Sequence, residues 1–231
     1  MQSGTPGSET IRRVDKTRWR IAILLYAGFD ELDVFGPYEV LRMAAEKQED
    51  VEVLLAAVDS NPGDEVMGSR GAVVRSQSAL DRDWDVVIVP GGGWVTRTGA
   101  FAEAERGVIP AALTNIHARG TTVASVCTGA MLLAAAGLTE GRPAITHQVA
   151  VEDLRATGAE VVEARVVDDG DIVTAGGVTA GIDLALWLVE RLWGGTLADR
   201  LAHRLEYTRS RDIHRGPHFI KPLQGADSIA E

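Results

Sequence analysis

The chain holds one cysteine, Cys127, so no disulfide can close within it, and a lone thiol suits a reducing cytoplasm. No run of about 18 apolar residues occurs, so no membrane-spanning helix is expected. Met1 to Thr10 is polar and rich in Gly and Ser, without the apolar stretch of a secretory signal. Clustered Lys and Arg are missing too. With 23 basic against 33 acidic side chains and a formal net charge of −10, a nucleic-acid surface is not expected. That charge leaves a small neutral substrate open. No His, Cys, Asp and Glu fall at metal-ligand spacing, and no dinucleotide-binding fingerprint is present, so neither a metal nor a cofactor is expected.

What is present is an alternation of strand-like and helix-like segments. Residues 1–18 read as a mobile leader. Arg20 to Tyr26 is a short apolar run of strand length. Asp30 to about Glu46 reads as a helix with Leu32, Phe35, Val40, Leu41 and Ala44 at helical spacing, interrupted early by Gly36-Pro37. Val51 to Val58 is strand-like, and Glu65 to Ser76 carries the turn residues of a small hairpin. Val86 to Val89 are consecutive β-formers, as in a strand buried on both faces, and Pro90 to Gly93 must be a loop.

Ala100 to His117 reads as a helix kinked at Pro110. A strand over Thr122–Val126 and a helix over Gly129–Ala136 follow. Pro143–Thr146 is a short strand, with a helix near Val149–Thr157. Asp168-Asp169-Gly170 is a hairpin turn signal between Glu160–Val167 and Asp171–Thr174. Ile182–Leu192 and Leu197–Tyr207 are helical, and residues 208–231 read as an extended tail. The whole is one α/β domain over residues 19–207 with a mainly parallel sheet.

Cys127 falls at the turn between a strand and an alanine-rich helix. There a thiol points out of the sheet's carboxyl edge, and the helix's free N–H groups and dipole favour thiolate. The same residue also fits a buried structural thiol, since free cysteine is often buried. Glycines at 91–93 let backbone amides approach a ligand, so Gly92 and Gly93 are candidate donors to developing negative charge; an ordinary tight turn would need them as well. Asp33 is either an acid favoured near a helix start or, protonated, a donor to the sulfur or a substrate. His147 either pairs with the cysteine or caps the next helix. His117, His203, His214 and His218 read as surface residues.

Taken together, these motifs resemble the DJ-1/PfpI superfamily, also called ThiJ/PfpI. The carrying residues are the Ile21–Tyr26 strand, Leu32-Asp33-Val34-Phe35-Gly36-Pro37, Val87-Ile88-Val89-Pro90-Gly91-Gly92, Ala124-Ser125-Val126-Cys127-Thr128-Gly129, and Thr174 to Asp183. The resemblance implies a flavodoxin-like three-layer α/β sandwich with Cys127 at a nucleophile elbow, and commonly a homodimer. Within it, Leu-Asp-x-x-Gly-Pro and Ser-Val-Cys-Thr-Gly are similar to isocyanide hydratases, cysteine-dependent hydro-lyases that add water to an isonitrile to give an N-substituted formamide.

That resemblance makes Asp33 a partner of Cys127. It places the amides of Gly92, Gly93 and Thr128 around the site, with the Thr128 hydroxyl as a donor. Thr128 stands where protease-like and glyoxalase-like members place His, and no His-x-Glu pair follows, which disfavours peptidase and glutaminase readings. The same pattern is similar to the amino-terminal domain of AraC-type regulators. The run to Glu231 leaves too little for a helix-turn-helix, so a small-molecule or redox sensor is the alternative to an enzyme.

Overall fold

The computed structural model describes residues 18–58 and 61–219. The leader expected over 1–18 lies, apart from Arg18, outside the described residues, as does the end of the expected tail from 220 on. The described chain runs β1 (Trp19–Leu25), α1 (Glu31–Ala45), β2 (Val51–Ala57), β3 (Glu65–Met67), β4 (Val73–Arg75), β5 (Ser78–Ala79) and β6 (Val86–Val89). It continues through α2 (Gly99–Arg106), α3 (Val108–Ala118), β7 (Thr122–Val126), α4 (Gly129–Ala135) and β8 (Pro143–Ala144). A 3-10 turn over Gln148–Ala150 then leads into α5 (Val151–Ala156), β9 (Glu160–Val161), β10 (Val166–Asp168) and β11 (Ile172–Ala175). Last come α6 (Ala180–Trp193), α7 (Gly195–Arg204) and β12 (Ile213–Arg215).

Eight strands form the main sheet in the order β12-β10-β11-β7-β6-β1-β2-β5. From β11 to β5 every neighbouring pair is parallel. β10 runs antiparallel to β11, and β12 follows β10 in parallel. Helices α1, α6 and α7 pack together on one face, and α2, α3 and α4 on the other. The result is the expected three-layer sandwich with a mostly parallel sheet.

Covering both faces is what the apolar runs demand. Ile21 to Leu24 and Val87 to Val89 have no solvent exposure at all. The chain leaves β1 for α1 and β2 on one side, and leaves β6 for α2, α3 and β7 on the other. This reversal opens a crevice at the carboxyl edge between β1 and β6.

Four expectations need correction. Helix α2/α3 breaks at Gly107, whose φ is +77°, and Pro110 sits harmlessly in the first turn of α3. Pro37 is inside α1 rather than at its start. Its ring packs against Gly181 of α6, where an added Cβ would lie 3.2 Å from the proline carbons, so the Gly-Pro step is a helix–helix junction. On α1 Val40, Leu41 and Ala44 are buried as expected, but Leu32 and Phe35 near its start are exposed, while Asp33 and Val34 are buried. Beyond residue 208 the chain is extended, but Ile213–Arg215 joins the sheet as its edge strand.

Candidate active site

The ends of β6, β7 and β11 are level, with Val89 beside Ser125 and Val126 beside Ala175. Whatever follows these strands therefore meets at one edge. Cys127 follows β7 immediately and has φ +57°, a left-handed conformation that costs a non-glycine residue about 1–3 kcal/mol. Three contacts hold it there. Its N–H donates to the Ala175 carbonyl at 3.0 Å, and its carbonyl accepts from the Thr146 hydroxyl at 3.0 Å. The third is the start of α4, whose Ala130 N–H donates to the Cys127 carbonyl at 3.5 Å. Kinked this way, the chain presents the thiol at the mouth of the crevice, as a strand-to-helix elbow does.

Asp33 comes from the first turns of α1, following β1, and is completely buried. Its Oδ2 accepts from the Gly91 N–H at 2.8 Å, and its Oδ1 has no hydrogen-bond partner among the described residues. The Gly92 N–H donates to the Thr128 Oγ1 at 3.0 Å. A Cβ on Gly91 would lie 2.5 Å from the Thr128 nitrogen and 3.0 Å from Asp33 Oδ2, so only glycine lets the loop wedge between acid and elbow. The Tyr26 hydroxyl, donating to the Pro90 carbonyl at 2.7 Å, steadies the same loop from beneath.

The electrostatics follow from burial. Asp33 is raised to about 8, first by loss of solvation; the Gly91 amide and the cysteine oppose this and the Asp30 charge adds to it. The Cys127 thiol is raised as well, by burial first and then by the Asp33 charge. The Thr128 amide and hydroxyl pull it back down. Burial therefore opposes the thiolate expected from the elbow. A helix end contributes about 0.3–1 kcal/mol to a nearby charge, and α4 is only seven residues long, whereas burying a charge costs several kcal/mol. Burial thus favours the protonated form of both groups.

Of the residues named from sequence, the structure brings Asp33, Gly92, Cys127 and Thr128 together. Gly92 does so differently from expectation, because its amide is engaged by Thr128. That leaves the Thr128 hydroxyl hydrogen free for the sulfur. The Gly93 carbonyl accepts from the Thr98 N–H at 2.9 Å, and no hydrogen bond joins Gly93 to Asp33, Cys127 or Thr128 among the described residues. His147 acts as a cap, its Nδ1 accepting from the Val149 N–H at 3.2 Å, and no hydrogen bond joins it to Cys127 among the described residues. Sequence reasoning had Gly91 only as part of the glycine run, and missed Tyr26 as a member of the site and Thr146 as its anchor. The proline-glycine step after a buried strand was the one available signal for Gly91.

Two histidines read as plain surface residues have acidic partners remote in sequence. His117 Nε2 lies 2.9 Å from Asp171 Oδ2, and His218 Nδ1 lies 2.9 Å from Asp169 Oδ2. Both are at the opposite edge of the sheet. A surface hollow of about 460 Å³ between Leu80 and Arg119 shares no residue with the Cys127 cluster. Among the described residues no cluster of ligating side chains could hold a metal ion, and no helix is long and apolar enough to cross a membrane.

A doubly covered, mostly parallel sheet with a strained cysteine elbow and a buried acid across from it defines a class of α/β proteins built around one thiol. Comparison with known proteins gives the family: residues 19–191 match the DJ-1/PfpI family, and the chain belongs to it. It is 37% identical over 210 residues to an isonitrile hydratase of Pseudomonas putida, covering 90% of this chain and 87% of that one. An HTH-type transcriptional regulator, CdhR of Pseudomonas aeruginosa, is 31% identical over 198 residues, covering 81% of this chain but 55% of the regulator. Among solved structures, a ThiJ/PfpI family protein from Pseudomonas syringae superposes with a TM-score of 0.73 at 30% identity, over 84% of this chain and 76% of that one.

Proposed function

We propose that this chain is a cysteine-dependent hydratase that adds water to an isonitrile. The observation that carries the reading is the pairing of a buried neutral Asp33, one oxygen unpartnered, with the Cys127 thiol. Similarity to an isonitrile hydratase at 37% identity supports the substrate class. An isonitrile carbon accepts both a nucleophile and a proton. The Cys127 sulfur forms a bond to that carbon, Asp33 delivers a proton to it, and the carboxylate takes the thiol proton, leaving an S-bound thioimidate. Water adds across the C=N bond, its oxygen to the carbon and one proton to the nitrogen; the C–S bond breaks, the remaining hydroxyl proton passes to the sulfur, and an N-substituted formamide departs. Thr128, donating its amide and hydroxyl toward the sulfur, lowers the cost of negative charge there.

Acid at Asp33 and thiol at Cys127 are the resting forms, so no histidine is required, in keeping with Thr128 after the cysteine. Gly92, Gly93 and His147 take no proton in this scheme. A homodimer belongs to the same proposal, supported by exposed Leu32 and Phe35 on α1 and exposed Met67 and Val73 on the β3–β4 hairpin. A cytoplasmic setting fits the lone cysteine. The second reading is a small-molecule sensor, favoured by the 31% identity to a transcriptional regulator.

The test is a panel of alkyl and aryl isonitriles mixed with the purified protein, with formamide followed by mass spectrometry and Cys127→Ala as control. Cysteine-dependent formamide formation, lost by about 10³-fold or more in the variant, is expected. A folded protein that binds these compounds without turnover supports the sensor instead.

A further inference from the structure

Two loops flank the elbow, and each is anchored to it. The loop after β6 is tied through the Gly92 amide to Thr128, and the segment after β8 through the Thr146 hydroxyl to the Cys127 carbonyl. Farther out, a single side-chain bond joins them: Trp94 Nε1 donates to Asp153 Oδ2 at 2.7 Å. The indole is set by an edge-on contact with Phe101, ring centroids 5.2 Å apart. It packs against the satellite core of Met131, Ala144, Ala150 and Leu154, whose Met131 is one turn along α4 from the elbow. Cys127 is only 6% exposed.

We infer that the Trp94–Asp153 pair is the strap that sets the size of molecule able to reach the Cys127 sulfur. The indole is a flat wall carried two residues beyond the glycine that touches Thr128, and Asp153 holds it against α5. The bond is exposed to solvent, so it opens readily, whereas the Thr146 anchor is buried and the Gly92 anchor part-buried. A slender, linear head group passes the closed strap; a bulky one needs it open. The inference rests on Cys127 being the group a substrate must reach, as in the function proposed above, and not on that substrate being an isonitrile.

The lone cysteine makes the test direct. Wild type, Asp153→Ala and Trp94→Phe are alkylated with iodoacetamide and with a fluorescein maleimide, and labelling at Cys127 is timed by intact mass. Trp94→Phe keeps a ring in place and removes only the donor, which guards against a variant that fails to fold. Both variants are expected to react roughly five- to tenfold faster with the bulky maleimide, the shift that loss of one such hydrogen bond allows. With iodoacetamide they should differ from wild type by less than about twofold. Equal acceleration by both reagents, or none by either, overturns the strap. Labelling that follows the expected pattern in a protein inert to every isonitrile would remove the hydratase reading and leave the strap standing.

Discussion

Asp33 and Asp169 are both fully buried, at opposite edges of one sheet, and they are pushed in opposite directions. Asp33 meets one backbone amide and no cation, and its carboxyl rises to about 8. Burial pushes Asp169 up too, but there the His218 amide and ring and the Arg142 guanidinium, 2.7 Å away, more than reverse it. Arg142 also reaches Asp171, which His117 and Arg142 hold well below the usual carboxylate range. The turn at 168–171 thus clamps β11 and the 216–218 segment, through complete pairing. The crevice edge is left incompletely paired, and that incompleteness favours a protonated carboxyl at Asp33. Burial is weighed against the partners each carboxyl meets, and a cation alone does not settle it: Asp168, with Arg191 at 3.0 Å, is still raised by burial.

The largest effect that would break this contrast is expected at Asp33. Its raised value means that its contribution to stability is complete below the ordinary carboxylate value of 3.8. That contribution is lost as pH climbs to about 8 and is flat beyond. Over that interval the loss is at most about 6 kcal/mol. Asp33→Asn should remove it, so denaturant melts of variant and wild type should diverge between pH 4 and 8, the variant the flatter. Turnover that depends on the acid form should also fall in wild type as pH passes about 8. Parallel stability curves would show that Asp33 is ionised in the folded protein after all.

Next comes the opposite edge. Arg142→Ala strands Asp169 and Asp171 and is expected to cost about 3 kcal/mol of unfolding free energy, read by denaturant titration at pH 7. A loss below about 1 kcal/mol would mean that solvent, which reaches Arg142, already screens the cluster. The smallest expected effect is at Thr128. Thr128→Val keeps the shape, removes the acceptor of the Gly92 amide, and should cost about 1–2 kcal/mol. Iodoacetamide labelling of Cys127 at pH 9 should slow in the same variant, because a donor that favours the thiolate is gone. Unchanged labelling would place the hydroxyl away from the sulfur.

The elements were legible where one physical signal spoke alone. Continuous apolar runs marked β1, β6 and β7, and Asp-Gly marked the β10–β11 turn. They were misread where two signals competed. Gly107 and Pro110 both break helices, and the φ of +77° shows that the glycine did it. Leu32 and Phe35 share the helical spacing of the buried Val40, Leu41 and Ala44, yet lie exposed near the start of α1. The Trp187 indole N–H donates to Asp168 on another element, a partner that no local pattern records.

By itself the sequence determined a doubly covered, mostly parallel sheet and a lone cysteine at a strand-to-helix turn, because both are written in short-range patterns of apolar runs and turn residues. Its motifs also carried the resemblance to the family. Only the tertiary structure decided that burial favours a protonated Asp33, that Gly92 serves Thr128, and that His147 caps a helix. Ionisation and hydrogen bonding depend on which groups distant in sequence are brought within about 3 Å and on how much water is left between them, and no local pattern records either.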